Sequence, residues 1–153
     1  MSHLNIFVGT MYGGALDVAE QVKPLFEEAG YQVEIREQPT LEVLTEHVSD
    51  LALFCVSTTG NGDFPGDFVP FVRELQAQSP SLVALCYGLV ALGDSSYETF
   101  CGAGRSLDEL LEGLGATRLG ERLEVDAMET FMADDDAVPW AEQWIEAQQL
   151  KVD

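Results

Sequence analysis

Leu51-Ala52-Leu53-Phe54-Cys55-Val56 is an uninterrupted apolar run of strand length, and the polar stretch Ser57-Thr58-Thr59-Gly60-Asn61-Gly62-Asp63 follows it directly. A strand apolar on both faces belongs in the middle of a parallel sheet, where helices cover both sides; a sheet with one wet face would alternate instead. The polar stretch then lies at the carboxyl edge of that sheet, where open α/β sheets bind their ligands.

The flanking sequence repeats the pattern. Leu4-Asn5-Ile6-Phe7-Val8 reads as a buried strand, and Ala15 to Ala29 as a helix with Val18, Ala19, Val22, Leu25 and Phe26 at helical spacing before Gly30. Tyr31 to Ile35 alternates as a second strand, Pro39 breaks it, and Leu41 to Val48 supports a short helix. On the other side, Asp67 is placed to cap a helix through Phe68, Phe71, Val72 and Leu75, with Pro70 in its first turn. Tyr87 to Leu92 is a fourth strand, and a helix from Phe100 to Leu114 ends at Gly115. Thr117 to Leu119 and Leu123 to Val125, separated by Gly120-Glu121-Arg122, predict one interrupted strand near an edge. Asp134-Asp135-Asp136 reads as an exposed turn, and Val138 to Leu150 as a closing helix with Trp140 and Trp144 on its packing face. Five strands alternating with helices predict an α/β three-layer sandwich around a parallel sheet with right-handed crossovers. The length fits a single domain over residues 1–153.

Composition narrows the function. There is no apolar run of about 18 residues and no basic segment before the first strand, which predicts neither a membrane span nor a signal peptide and makes the cytoplasm the expected location. The three cysteines lack Cys-x-x-Cys spacing; Cys55 and Cys86 lie in or beside apolar runs and read as reduced core thiols. His3 and His47 stand alone, so no metal site is expected. The formal charge of −20, from 27 acids against 7 bases, repels nucleic acid and anionic membranes. It is equally compatible with a solubility surface and with steering toward a basic protein partner.

Two more polar loops follow strands: Gly9-Thr10-Met11-Tyr12-Gly13-Gly14 and Gly93-Asp94-Ser95-Ser96-Tyr97. A glycine turn between strand and helix presents N–H groups to an anion, so phosphate is the natural guest of the first. Gly9 and Gly14 have the outer spacing of a P-loop, but Ala15-Leu16 stand where Lys and Ser or Thr would follow, which argues against a triphosphate. The dinucleotide pattern G-x-G-x-x-G is absent. A phosphoacceptor receiver domain would need an acidic pair after strand one, an Asp after strand three and a Lys after strand five; the first two places hold Gly9-Thr10 and Ser57-Thr58, and the Lys is missing. What remains is a phosphate held by neutral groups, the Thr10 hydroxyl and the N–H groups around Met11 to Ala15.

Gly9 to Gly13, Ser57 to Asp63 with Pro65, and Leu92 to Tyr97 with Phe100 together resemble the flavodoxins, small electron-transfer proteins that bind FMN. The likeness spans essentially the whole chain and is nearest to the short bacterial flavodoxin-like proteins of the MioC/YqcA type. It implies the strand order 2-1-3-4-5, of which flavodoxin is the type example. It assigns Thr10, Met11, Tyr12, Gly13, Gly14 and Ala15 to the FMN phosphate. Ser57, Thr58, Thr59, Gly60, Asn61, Gly62 and Asp63 would flank the isoalloxazine on one side. Leu92, Gly93, Asp94, Tyr97, Phe100 and Cys101 would do so on the other, with Tyr97 stacked on the ring. Gly60 would turn its carbonyl toward flavin N5 on reduction. Flavodoxins commonly carry hydroxyl residues at the places of Tyr12 and Ala15, and many relatives an aromatic at Thr59, so backbone amides carry more of the phosphate here. Phe64 reads either as a substitute ring or as a loop anchor, and Cys101 either as a cofactor contact or as the filling of its helix start.

No Lys or Arg occurs in residues 1–22, 37–72 or 74–104, whereas Asp63, Asp94 and Glu98 lie in or beside the loops. Negative charge on a reduced flavin would find no cation, which predicts a low-potential couple. The resemblance implies a monomeric electron carrier and not an enzyme. It would take electrons from a basic NADPH-dependent flavodoxin/ferredoxin reductase and pass them to an acceptor enzyme, with biotin synthesis one destination for the MioC-like group. Two other readings stand beside it: an FMN-dependent NAD(P)H quinone or azo reductase, which needs room for a second planar substrate, and a flavin-free interaction module, suggested by Tyr12, Ala15 and Thr59.

Overall fold

Burial of the apolar runs assembles one parallel sheet. The computed structural model describes residues 2–130 and 132–152. Its strands are β1 (Ser2–Gly9), β2 (Tyr31–Glu37), β3 (Leu51–Ser57), β4 (Cys86–Gly93), β5 (Thr117–Arg118) and β6 (Leu123–Asp126). They pair in parallel in the order β2-β1-β3-β4-β5, with β6 also on β4. The helices are α1 (Gly14–Glu28), α2 (Leu41–Glu46), α3 (Val69–Gln78), α4 (Gly102–Gly113) and α5 (Asp134–Ala147).

Period-two alternation sends neighbouring strand residues to opposite layers. Leu4, Ile6, Val8, Leu53, Cys55 and Val90 pack with Val18, Val22 and Phe26 of α1 and Trp144 of α5. Phe7, Phe54, Tyr87 and Leu89 pack on the other face with Phe71 and Leu75 of α3 and Leu107 and Leu111 of α4. Phe7 and Phe54 are directly paired across β1 and β3, their rings 5.0 Å apart.

The interrupted last strand is present as two pieces, both on β4. Thr117 faces Cys86, and Leu123 to Asp126 face Val90 to Gly93. Trp144 explains the break: its ring lies against Gly88, where a β-carbon would be 2.5 Å from Cζ2, and its indole N–H donates to Leu119 O at 2.7 Å.

Three local expectations are corrected. Asp67 does not cap α3, whose N-cap position is taken by Phe68 without a side-chain bond; its carboxylate instead accepts the Thr10 N–H at 3.3 Å. Asp134, Asp135 and Asp136 form the first turn of α5, where their charge complements the helix dipole, and are not a free turn. Cys86 is exposed at the start of β4, while Cys55 and Cys101 are buried. Among the described residues no helix is long and apolar enough to cross a membrane.

Candidate functional site

The carboxyl ends of β1, β3 and β4 open into one cavity of about 380 Å³. Met11, Tyr12 and Gly14 line it from the first loop, Ser57, Thr58, Thr59 and Gly60 from the second, and Leu92, Gly93, Asp94, Tyr97 and Thr99 from the third. Ala127, just after β6, completes the lining. Since β1 and β3 are neighbours while β2 lies beyond β1, the cavity stands where the connections diverge, the usual ligand crevice of such sheets.

In the first loop the Thr10 hydroxyl oxygen accepts the Gly13 N–H at 2.9 Å, which leaves its own proton to donate elsewhere. Gly13 has φ +88°, a left-handed turn that swings the chain into α1. The first intrahelical bond runs from Asp17 N–H to Gly13 O at 2.9 Å. The N–H groups of Gly14, Ala15 and Leu16 lie ahead of it and have no helical carbonyl to donate to. The Ala15 side chain is fully buried in the α1/α5 core, so this residue offers a ligand its N–H alone.

The second loop is closed by reciprocal bonds of 2.8 Å between the N–H and carbonyl groups of Thr59 and Asp63. Its tip turns at Gly60 and Gly62, both with positive φ. Gly62 is pressed against the third loop: a β-carbon there would sit 2.9 Å from Thr99 Cβ, and one on Gly102 would sit 2.8 Å from Gly62 Cα. That packing keeps Gly62 out of the cavity lining, and Asn61 and Asp63 are exposed beside it. Thr58 joins the two loops, donating its N–H to Leu92 O at 3.0 Å and accepting the Ala103 N–H at 3.3 Å. Phe64 stacks on Phe68 at 6.0 Å within the α3 core, the loop-anchor alternative.

In the third loop, Asp94 accepts the Ser96 N–H at 2.8 Å and the Ser96 hydroxyl at 2.6 Å. Asp126, from β6, accepts the Ser95 and Met128 N–H groups at 3.0 and 2.9 Å. These bonds, the Ser95 contact foremost, hold its carboxyl below the usual range. Tyr97 is 54% exposed at the mouth, with Met11 and Tyr12 also exposed there. Phe100 lies under the Arg105 guanidinium, 5.6 Å from it, and does not line the cavity. Cys101 begins α4 with φ +53° and its Sγ is 3.6 Å from Ala91 O. Burial pushes its thiol up to about 12, so it is protonated packing, with its backbone filling the space a side chain on Gly93 would need.

Thr99 and Ala127 line the cavity although sequence reasoning missed both. Thr99 lies between Tyr97 and Phe100 of the third stretch and was within reach of the motif. Ala127 follows the weakest strand pattern, and nothing local marks it. Among the described residues no Lys or Arg lines the cavity. Arg105, beside the third loop, is bound to Glu124 by bonds of 2.7 and 2.9 Å and so is already committed.

The flavodoxin family pattern matches residues 6–140. The chain is 42% identical over 144 residues to flavodoxin YqcA of Pectobacterium carotovorum subsp. carotovorum, covering 94% of this chain and 95% of that protein. It is 36% identical to protein MioC of Escherichia coli (strain K12), covering 95% and 97%. A mutant flavodoxin from Pseudomonas aeruginosa superimposes with a TM-score of 0.87 at 32% identity, over 96% of this chain and 99% of that one.

Proposed function

The chain belongs to the flavodoxin family, and from that membership we infer an FMN-binding electron-transfer protein, a redox partner of reductases and acceptors and not an enzyme. The observation that carries this reading is the convergence of three strand-end loops on one cavity that offers neutral donors and no cation. The donor set fits a phosphate monoester: the Thr10 hydroxyl and the helix-start N–H groups of Gly14, Ala15 and Leu16. Gly13, with its positive φ and nothing within 4 Å of the place of a β-carbon, leaves that approach open. Bound FMN would supply reversible one- and two-electron chemistry.

The chain's own residues orient and tune. We assign the phosphate to the first loop, and the ring to the space between Thr58, Thr59 and Gly60 and the third-loop residues Gly93, Asp94 and Tyr97. Tyr97 keeps a large flat surface at the mouth, suited to stacking. Asp94 in the lining, Glu98 next to Tyr97 and the lack of a local cation oppose added negative charge, giving a low-potential carrier. The donor is read, from the family, as a basic NADPH-dependent reductase, a reading that the −20 formal charge and the exposed Met11, Tyr12 and Tyr97 at the mouth support. The whole chain acts as a single domain in the cytoplasm.

Purified protein titrated with FMN should quench flavin fluorescence and stay yellow after free flavin is removed by desalting. NADPH should reduce the complex only when a flavodoxin reductase is added, at a rate falling steeply with salt. A protein that stays colourless would leave the flavin-free module standing; reductase-independent quinone turnover would make it an enzyme.

A further inference from the structure

Resting on that FMN reading, we propose that Asp67 is a positioning residue for the phosphate loop and thereby sets the preference for FMN over riboflavin. Asp67 lies in the turn before α3, 57 positions from Thr10 in the chain, and no side chain caps that helix. Its carboxylate instead accepts the Thr10 N–H at 3.3 Å. The adjoining residues make the approach close: a β-carbon on Gly9 would lie 2.6 Å from the Phe68 ring, so the end of β1 rests directly on the start of α3.

Thr10 passes the constraint on. With its N–H held by Asp67, its hydroxyl oxygen accepts from Gly13 N–H at 2.9 Å. A hydroxyl that accepts on one side has a single proton left to donate, and the direction of that proton is then restricted. Two loop N–H groups, those of Thr10 and Gly13, are thus internally satisfied. The Thr10 hydroxyl and the start of α1 are left to face an anion. Asp67 reaches this donor set through the Thr10 N–H.

Charge and positioning predict opposite outcomes. A carboxylate near an anion site weakens phosphate binding by repulsion, so removing it would tighten FMN if charge dominated. If positioning dominates, removal weakens FMN and leaves riboflavin, which lacks the phosphate, unchanged.

Dissociation constants for FMN and riboflavin are to be measured by flavin fluorescence on the wild type, Asp67→Ala and Asp67→Asn, with circular dichroism to confirm folding. Asp67→Ala should weaken FMN about tenfold, the scale of one lost hydrogen bond to a charged group, with riboflavin affinity unchanged. Asp67→Asn keeps an acceptor oxygen without the charge and should bind FMN like the wild type; tighter or weaker FMN binding by it would overturn the assignment even if the alanine variant does not fold. In a Thr10→Val background the Asp67→Ala change should cost little, because the hydroxyl it aims is gone. Tighter FMN binding by Asp67→Ala, a parallel loss of riboflavin, or no change in either would each overturn the assignment. A wild type that binds no FMN would defeat the underlying functional reading before the variants are compared.

Discussion

The rim of the sheet and the edge where α4 meets β5 and β6 handle charge in opposite ways. At the edge, Asp108 is 2% exposed, yet it accepts from the Tyr87 hydroxyl, from Arg118 and from Arg122, the last at 2.7 Å. Arg122 and Arg105 both reach Glu124, at 2.9 and 2.7 Å. At the rim the cavity is lined by backbone, hydroxyl and apolar groups, with Asp94 its one charged residue among those described. A buried carboxylate is costly unless paired, so the edge draws three of the seven basic residues of the chain into its network. The rim, solvated and loop-built, needs none, and that leaves it free to disfavour added electrons. The lesson is that the cation-free site depends partly on where structural necessity has placed the arginines.

The largest expected effect tests the edge alone. Asp108→Ala removes the buried acceptor shared by Arg118, Arg122 and the Tyr87 hydroxyl, whose proton is held by burial and by the bond to Asp108, leaving Arg118 with Gly120 O and Glu112 and Arg122 with Glu124. We expect a loss of about 3–5 kcal/mol in urea unfolding, with FMN affinity of the folded protein unchanged. A change in affinity as large as the change in stability would mean that the two regions are not separate.

Next in size is an acid dependence. Glu124 is held at about 2 against an ordinary 4.5, first by its bonds to Arg105. Its contribution is complete above about pH 4.5 and is lost as pH falls toward 2. Glu124→Gln should therefore be less stable than wild type by about 1–2 kcal/mol near neutrality, allowing for solvent screening, and the gap should close through that window. Thermal melts at successive pH values measure it.

Two rim substitutions come last. Tyr97→Ala should weaken FMN about tenfold and leave the melting temperature of the flavin-free protein unchanged, since the ring is half exposed. Glu98→Lys would put a cation where none exists and should raise the reduction potential by about 40 mV, the one-electron equivalent of about 1 kcal/mol. An unmoved potential in a redox titration would break the link between the missing cations and the low-potential reading.

Much of the fold could be read locally. The run from Leu51 to Val56 lies centrally between β1 and β4, and the pieces around Thr117 and Leu123 are the split edge strand their spacing predicts. The three loops meet because each ends a neighbouring parallel strand. Individual side chains were less legible: Phe64 belongs to the α3 core, Cys86 faces solvent, and Asp67 serves Thr10 in place of its own helix.

Apolar periodicity and glycine placement therefore determined, from the sequence alone, which segments are strands and helices and which loops lie at the carboxyl rim, because these depend on neighbours a few residues apart. Only the tertiary structure decided that Asp67 reaches Thr10, that Thr99 and Ala127 join the cavity, and that Arg105 is bound to Glu124. A polar side chain takes the partner that comes within hydrogen-bond distance, and for residues dozens of positions apart the packing of helices on an ordered sheet sets that distance.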